Sequence, residues 1–289
     1  MPSSPLHQAT EADHYRVGEA DIFRVTEQVA EFPSAKLFPE HRSELNAADI
    51  PDMVAISIHS WVVRTPTRLI IIDTATGNHR DRGGHPLFHN LQTPYAERLT
   101  EAGVDRHAVD TVLLTHLHTD HVGWNTYQDN GHWRPMFPNA RHVFSAAELD
   151  RWQRDPAHAT ILKDSIQPLL DAGLADTIDP AAGEALDELF IYHSSPGHSP
   201  DHASIVLQSQ GEYALFAGDV MHHPIQTRYP HWNSTFCENK PYAVASRQWA
   251  LDWCVQHDAL YCSSHFAESS AGRITRSNAH PAGYDWRFA

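Results

Sequence analysis

A chain of 289 residues, 41% of them hydrophobic, has enough apolar material for one two-sheet α/β domain. Its formal net charge of −15 argues against a nucleic-acid partner, whose backbone requires a basic face, and no apolar run approaches the roughly 20 residues of a membrane-spanning helix. The three cysteines, Cys237, Cys254 and Cys262, are odd in number and widely spaced, so they provide neither a disulfide framework nor a Cys-x-x-Cys metal knuckle; buried free thiols in a reducing compartment are expected.

Along the chain, residues 1–18 are polar and read as an arm, mobile or in contact with a second subunit. No basic stretch followed by an apolar one opens the sequence, so a cytoplasmic location is expected. Asp21 to Val29 alternates as a first strand. Phe32 to Pro51, with several prolines and many polar residues, reads as a long surface loop near the substrate or a second subunit. Val54 to Val63 and Arg68 to Asp73 form a strand pair joined by Thr65-Pro66-Thr67, and the continuous run Leu69-Ile70-Ile71-Ile72 suits a strand buried on both faces. Pro94 to Ala102 is helical and stops at Gly103. Thr111 to Leu114 is a strand.

Trp124 to Val143 reads as a hairpin insertion turning at Asn130-Gly131. Ser145-x-x-Glu148 caps a helix start. Leu189 to His193, Ala203 to Leu207 and Tyr213 to Ala217 are further strands. Tyr242 to His257 is a helix with Ala250, Trp253, Cys254 and His257 on one face, Ala259 to Ser263 is a last strand, and a polar tail follows from Ala271. Strands fall into two groups, each followed by helices, which predicts two stacked sheets with helices outside. Residues 1–289 are read as a single domain.

The chemistry is concentrated in Thr115-His116-Leu117-His118-Thr119-Asp120-His121-Val122-Gly123, directly after the apolar run Val112-Leu113-Leu114. Neutral imidazoles and a carboxylate are the usual ligands of zinc and similar divalent ions in catalytic sites. Three later positions repeat the theme of a lone ligand just past a strand: His198 in Pro196-Gly197-His198-Ser199, Asp219 in Phe216-Ala217-Gly218-Asp219, and His265 in Ser264-His265-Phe266. Strand ends converge on one rim of a sheet, and a glycine before His198 and before Asp219 permits tight backbone turns there. His257 and His280 read as surface histidines.

His-x-His-x-Asp-His followed by Gly-His, Gly-Asp and a final His resembles the metallo-β-lactamase superfamily, over about Asp21 to His265. The resemblance implies a four-layer αββα sandwich of two mixed β-sheets with a two-metal site between the sheet edges. It implies that His116, His118 and His198 hold a first ion, that Asp120, His121 and His265 hold a second, and that Asp219 bridges both. Asp73, at the end of its strand, would support the metal loop from behind, with a plain turn-capping role as the alternative; Thr115 and Thr119 would be loop-stabilising hydroxyls. Zinc is the default ion for such a mixed set, with manganese, cobalt or iron also suited.

A ligand set with His118 in place of a glutamate and Asp120 in the second site favours hydrolysis over redox chemistry within this superfamily. The expected activity is a dinuclear metal-dependent hydrolase whose metal-bridging hydroxide opens a lactone or cleaves a related carboxylic ester. A phosphotriester (organophosphate) hydrolase, a thioesterase of the glyoxalase II kind and a non-catalytic metal-binding protein are the alternatives. In similar lactonases a tyrosine three residues after the bridging aspartate contacts the substrate; here that position is His222, which either assists the leaving alkoxide or is a loop histidine. Trp124, Trp133, Phe137, Tyr229, Trp232 and Phe236, on loops near the motifs, are candidate linings of an apolar substrate pocket. The expected partner is a small ester or lactone, with no nucleic acid or membrane; a homodimer fits the polar arm.

Overall fold

The structure, a computed structural model, describes residues 14–183, 185–280 and 282–289. Residues 1–13 of the expected arm lie outside the described residues. The rest of that arm is not loose: His14–Val17 forms β1, paired antiparallel with β2, Ala20–Pro33. β3 (Met53–Arg64) and β4 (Leu69–Ile72) continue this sheet as the expected antiparallel pair. β5 (Thr111–Leu113), β8 (Arg141–Ser145) and β9 (Ala175–Ile178) then add in parallel, giving the order β1-β2-β3-β4-β5-β8-β9. A separate hairpin, β6 (Thr126–Asp129) and β7 (His132–Pro135), turns at Asn130-Gly131, both with positive φ as a tight hairpin turn requires.

The second sheet runs β10-β11-β12-β13-β14-β15, from Phe190–Ser194, Ala203–Ser209, Glu212–Phe216 and Leu260–Cys262 to Ala271–Arg276 and Tyr284–Phe288. Its last two strands correct the expectation of a polar irregular tail. Tyr284 and Trp286 are buried against Tyr261 and α8, so the tail is held by aromatic packing that its polar composition hides.

The helices are α1 (Ser34–Leu37), α2 (Tyr95–Glu101), α3 (Thr119–Val122), α4 (Ala146–Arg154), α5 (Ala159–Ile161), α6 (Gln167–Asp171), α7 (Ile225–Arg228) and α8 (Lys240–His257). The Ser145 hydroxyl accepts from Glu148 N at the start of α4, as the capping pattern predicts. The segment read as a surface loop over Phe32 to Pro51 instead folds around α1 and buries Leu37, Phe38, Leu45 and Ile50 against Trp232 and Ile225. Its scattered apolar residues lack a period, so the sequence shows its polarity and not its small core. On α8 the buried face carries Ala243, Arg247, Ala250, Leu251 and Cys254, whereas Trp253 and His257 are only partly covered. All three cysteines are buried.

Layering follows from strand periodicity. Ile70 and Ile72 of β4 face the core between the two sheets, while Ile71 faces the core beneath α2 and α4. A third core packs α8 onto the second sheet through Ala250, Leu251 and Cys254. The result is helix, sheet, sheet, helix. Because β4, β5 and β8 are parallel, as are β12 and β13, their C-terminal ends open onto one rim. Among the described residues no helix is long and apolar enough to cross a membrane.

Candidate metal centre

The rim collects every ligand candidate. His116 and His118 follow β5 on the turn into α3 and Asp120 and His121 lie on α3 itself; His198 lies between β10 and β11; Asp219 follows β12 and His265 follows β13. Two backbone turns make this convergence feasible. Gly197 has φ +129° and Gly218 φ +55°, and a Cβ at Gly197 would come within 2.0 Å of Ala243 N, one at Gly218 within 2.5 Å of His202 Nε2. Any other residue at either position would displace the ligand beside it.

The donor atoms face one another in two adjoining sets. His116 Nε2 lies 3.0 Å from His118 Nδ1, which lies 2.8 Å from His198 Nε2. On the other side His121 Nε2 is 4.0 Å from Asp120 Oδ1, and His265 Nε2 is 3.9 Å from Asp120 Oδ2. Asp219 stands between the sets. Its Oδ2 is 3.1 Å from His198 Nε2 and 4.0 Å from His116 Nε2, its Oδ1 is 3.2 Å from His121 Nε2, and His265 Nε2 lies close to both, 3.0 Å from Oδ1 and 3.1 Å from Oδ2. Groups of at least three such atoms lie within 4.8 Å of one another. Imidazole nitrogens packed this closely without protons between them repel unless a cation lies among them. The buried His121 Nε2 and Asp219 Oδ1 have no hydrogen-bond partner among the described residues. These His/Asp clusters fit divalent metal binding.

Outer partners fix which nitrogen of each ring is turned inward. His121 Nδ1 donates to Asp73 Oδ2 at 2.8 Å, and Asp73 also accepts from Thr115 N and Thr115 Oγ1, each at 2.8 Å. The Thr115 hydroxyl in turn stands 3.0 Å from His116 Nδ1. His265 Nδ1 donates to the Ser57 carbonyl at 3.0 Å. With the outer nitrogens acting as donors, the neutral rings of His116, His121 and His265 turn their Nε2 lone pairs inward, where a metal ion would take them. Asp73 thus supports the loop from behind and is more than a turn cap; its backbone sits at φ +55°, a strained position tolerated at sites the surroundings over-determine.

Electrostatics agree with a neutral first set. Burial pushes His116 and His198 well below the ordinary imidazole range, helped by the neighbouring imidazoles, and burial also lowers His118. For His121 and His265 burial acts downward too, but Asp219 beside both more than offsets it and raises them. Burial alone would raise the Asp219 carboxyl; His265, His121, His198 and His222 around it hold it well below the usual carboxylate range.

His222, left open by the sequence, is in the centre. It is 2% exposed, its Nε2 lies 3.3 Å from Asp219 Oδ2, and its ring stacks on His265 at 5.2 Å and on Phe236 at 5.5 Å. Burial lowers its pKa, so the ring is neutral near pH 7. Sequence reasoning missed His202, which accepts from Asp219 N at 2.9 Å and ties Asp219 to Ser195. Its only signal was the second histidine of Gly197-His198-Ser199-Pro200-Asp201-His202. Glu27 was also missed: its buried carboxylate accepts from Thr76 N and Gly77 N at 2.8 and 3.0 Å and from Trp124 Nε1 at 2.6 Å.

Most of the candidate pocket aromatics are elsewhere. Trp124 stacks on Tyr95 and belongs to the core with Phe137; Trp232 is buried against Phe38; Trp133 lies over Arg80; Tyr229 stacks on Trp232. Proximity in sequence to the metal loop did not make them line the rim, because each covers an apolar surface of its own. Phe236 alone of this group sits on a site residue; it is 40% exposed, with Phe32 5.6 Å away. His257 and His280 are remote from the centre, on α8 beside Trp253 and on the tail beside Asp285.

Comparison with known proteins places this geometry. The family model described as the metallo-beta-lactamase superfamily matches residues 54–260. A probable metallo-hydrolase of Mycobacterium tuberculosis is 24% identical over 217 residues, 66% of this chain and 66% of that protein, so the chain spans slightly under two thirds of this relative. Among solved structures, AidC, described as a dizinc quorum-quenching lactonase in complex with a product, superposes with a TM-score of 0.77 at 23% identity, covering 96% of each chain. The hydrolase AbOPH gives a TM-score of 0.77 at 23% identity over 94% of this chain and 95% of that one. At this identity the two structures establish the shared fold.

Proposed function

The chain belongs to the metallo-beta-lactamase superfamily, and we propose that it is a dinuclear metal-dependent hydrolase that opens a lactone or cleaves a related carboxylic ester. The observation that carries this reading is the place of one carboxylate between two sets of donors: Asp219 Oδ2 lies beside His198 and His265, and Oδ1 beside His121 and His265. Seven side chains, two of them carboxylates, suit two ions that share a ligand, and zinc is the default for this mixture. When bound, such a pair supplies an acidified water as nucleophile and polarises the scissile carbonyl.

The protein's own groups do the rest. Asp73, Thr115 and the Ser57 carbonyl hold the rings in ligating orientation. Asp219 keeps its negative charge at the centre of the site. His222, neutral and beside Asp219, is placed to hydrogen-bond the substrate carbonyl or to pass a proton to the alkoxide that leaves when the C–O bond breaks. Phe236 offers an apolar shelf against His222 for the non-reacting part of an ester. The lactonase that shares the fold supports an ester substrate. We place the protein in the cytoplasm, with a small-molecule substrate and a homodimer as its assembly.

The test is a side-by-side rate comparison of the metal-loaded protein on a γ-lactone, an aryl ester, a thioester and a phosphotriester. The reading expects kcat/KM highest on the lactone or aryl ester. Faster turnover of the phosphotriester or thioester would replace it with the corresponding rival, and no turnover of any would leave a metal-binding protein.

A further inference from the structure

α3 is only four residues long, yet it carries Asp120 and His121. It makes no side-chain cap of its own. Both of its ends are instead gripped by arginines from the loop after β4. At the start, Arg82 Nε donates to Thr119 Oγ1 at 2.5 Å. At the end, Arg80 Nη2 donates to the Gly123 carbonyl, and to Thr126 O and Oγ1 at 2.8 Å each.

Both arginines converge on a single carboxylate. Arg82 Nη1 and Nη2 reach Asp164 Oδ2 and Oδ1 at 2.7 and 2.9 Å, a bidentate pair; Arg80 Nη1 reaches Oδ1 at 2.8 Å and the Asp164 carbonyl at 3.0 Å. All three side chains are buried. Asp164 lies in a five-residue π-helical turn, Leu162–Ile166, between α5 and α6. Such turns are rare and recur at functional sites because the extra residue re-aims a side chain. Here the re-aimed group is the carboxylate that meets the two arginines.

We infer that Asp164, acting through Arg82 and Arg80, is a positioning residue for the second metal site: it fixes α3 at Thr119 and Gly123 and thereby sets the directions of Asp120 and His121. This inference rests on the two-site reading above. The first set, by contrast, has His116 and His118 before α3 and His198 on another loop, and none of the three is gripped by Arg80 or Arg82; Asp73 serves both sets, through Thr115 and directly through His121 Nδ1. The strut therefore acts selectively. Loosening it weakens one ion and spares the other.

The experiment follows release of zinc from the zinc-loaded full chain to a chromophoric chelator, which resolves two steps if the two sites differ. Thr119→Val removes the acceptor for Arg82 Nε without burying a charge, Arg82→Lys removes the bidentate fork, and Asp164→Asn weakens the hub. We expect one of the two steps to shift by roughly 10- to 100-fold in Thr119→Val and Arg82→Lys, the usual range for an outer partner of a metal ligand, with the other step within about twofold. Thr119→Ser restores the parent behaviour. Equal shifts of both steps, or no shift in Thr119→Val, would overturn the inference. Release of a single ion from the parent protein would overturn the two-site reading instead. If Asp164→Asn does not fold, the Thr119 pair decides the question.

Discussion

Glu148 is a buried carboxyl with no ion pair among the described residues and is not among the metal-ligand candidates, and substituting it gives a stability test independent of activity. It lies in the first turn of α4 at 0% exposure. A glutamate ordinarily ionises near 4.5; burial pushes Glu148 up to about 8, Asp201 adds to the rise, and the Ser199 hydroxyl, the Leu117 N–H and Arg151 offset only part of it. Leu117 and Ser199 adjoin His116, His118 and His198 in the sequence. The sign is fixed by proton binding. Between about pH 4.5 and 8 the unfolded chain has lost this proton while the folded chain keeps it, so stability falls as pH rises through that window. The slope approaches about 1.4 kcal/mol per pH unit, and the whole effect reaches at most about 5 kcal/mol. Glu148→Gln is neutral at every pH and removes the slope. Urea unfolding of both metal-loaded proteins across pH 5 to 8.5 should show the glutamine variant gaining a few kcal/mol relative to the parent as pH rises, other titrations cancelling in the difference. A difference that stays constant with pH, or a variant that loses ground at pH 8.5, would refute the reasoning.

Other outcomes follow from the site. Asp73→Asn keeps the shape but weakens the acceptor for His121 Nδ1 and Thr115, and should lower zinc affinity by roughly 10- to 100-fold in a competition titration. His222→Gln should leave both ions in place while kcat on an ester falls by about 10²-fold; loss of an ion by elemental analysis would make His222 a ligand instead, as its place beside His198 and Asp219 also permits. Phe236→Ala should reduce kcat/KM by roughly tenfold for esters with a large apolar group and leave small esters nearly unchanged, and equal effects on both would remove Phe236 from the substrate shelf.

The strands and the cluster of ligand candidates were legible because their signals are local and periodic. Leu69-Ile70-Ile71-Ile72 and Val112-Leu113-Leu114 announce strands buried on both faces, and a strand buried in parallel company must end at a common rim, so histidines and aspartates just past such runs meet in space. What escaped the reading depends on partners distant in sequence. β1 and the tail strands are too polar and short to be recognised before Tyr284 and Trp286 find α8 and Tyr261. The segment around α1 conceals a core that exists only against Trp232. Arg80 and Asp164 are 84 residues apart and resemble ordinary surface charges until the π-turn brings them together. Trp124 was misjudged for the opposite reason: it adjoins the metal loop in sequence, but Glu27 and Tyr95 draw its ring into the core behind that loop.

Metal stoichiometry of the full chain is the most direct test of the central claim. Elemental analysis after zinc saturation and removal of free ion should find two ions per chain in the parent and one after His121→Ala or His118→Ala. One ion or none in the saturated parent would contradict a centre in which Asp219 serves two sets of ligands.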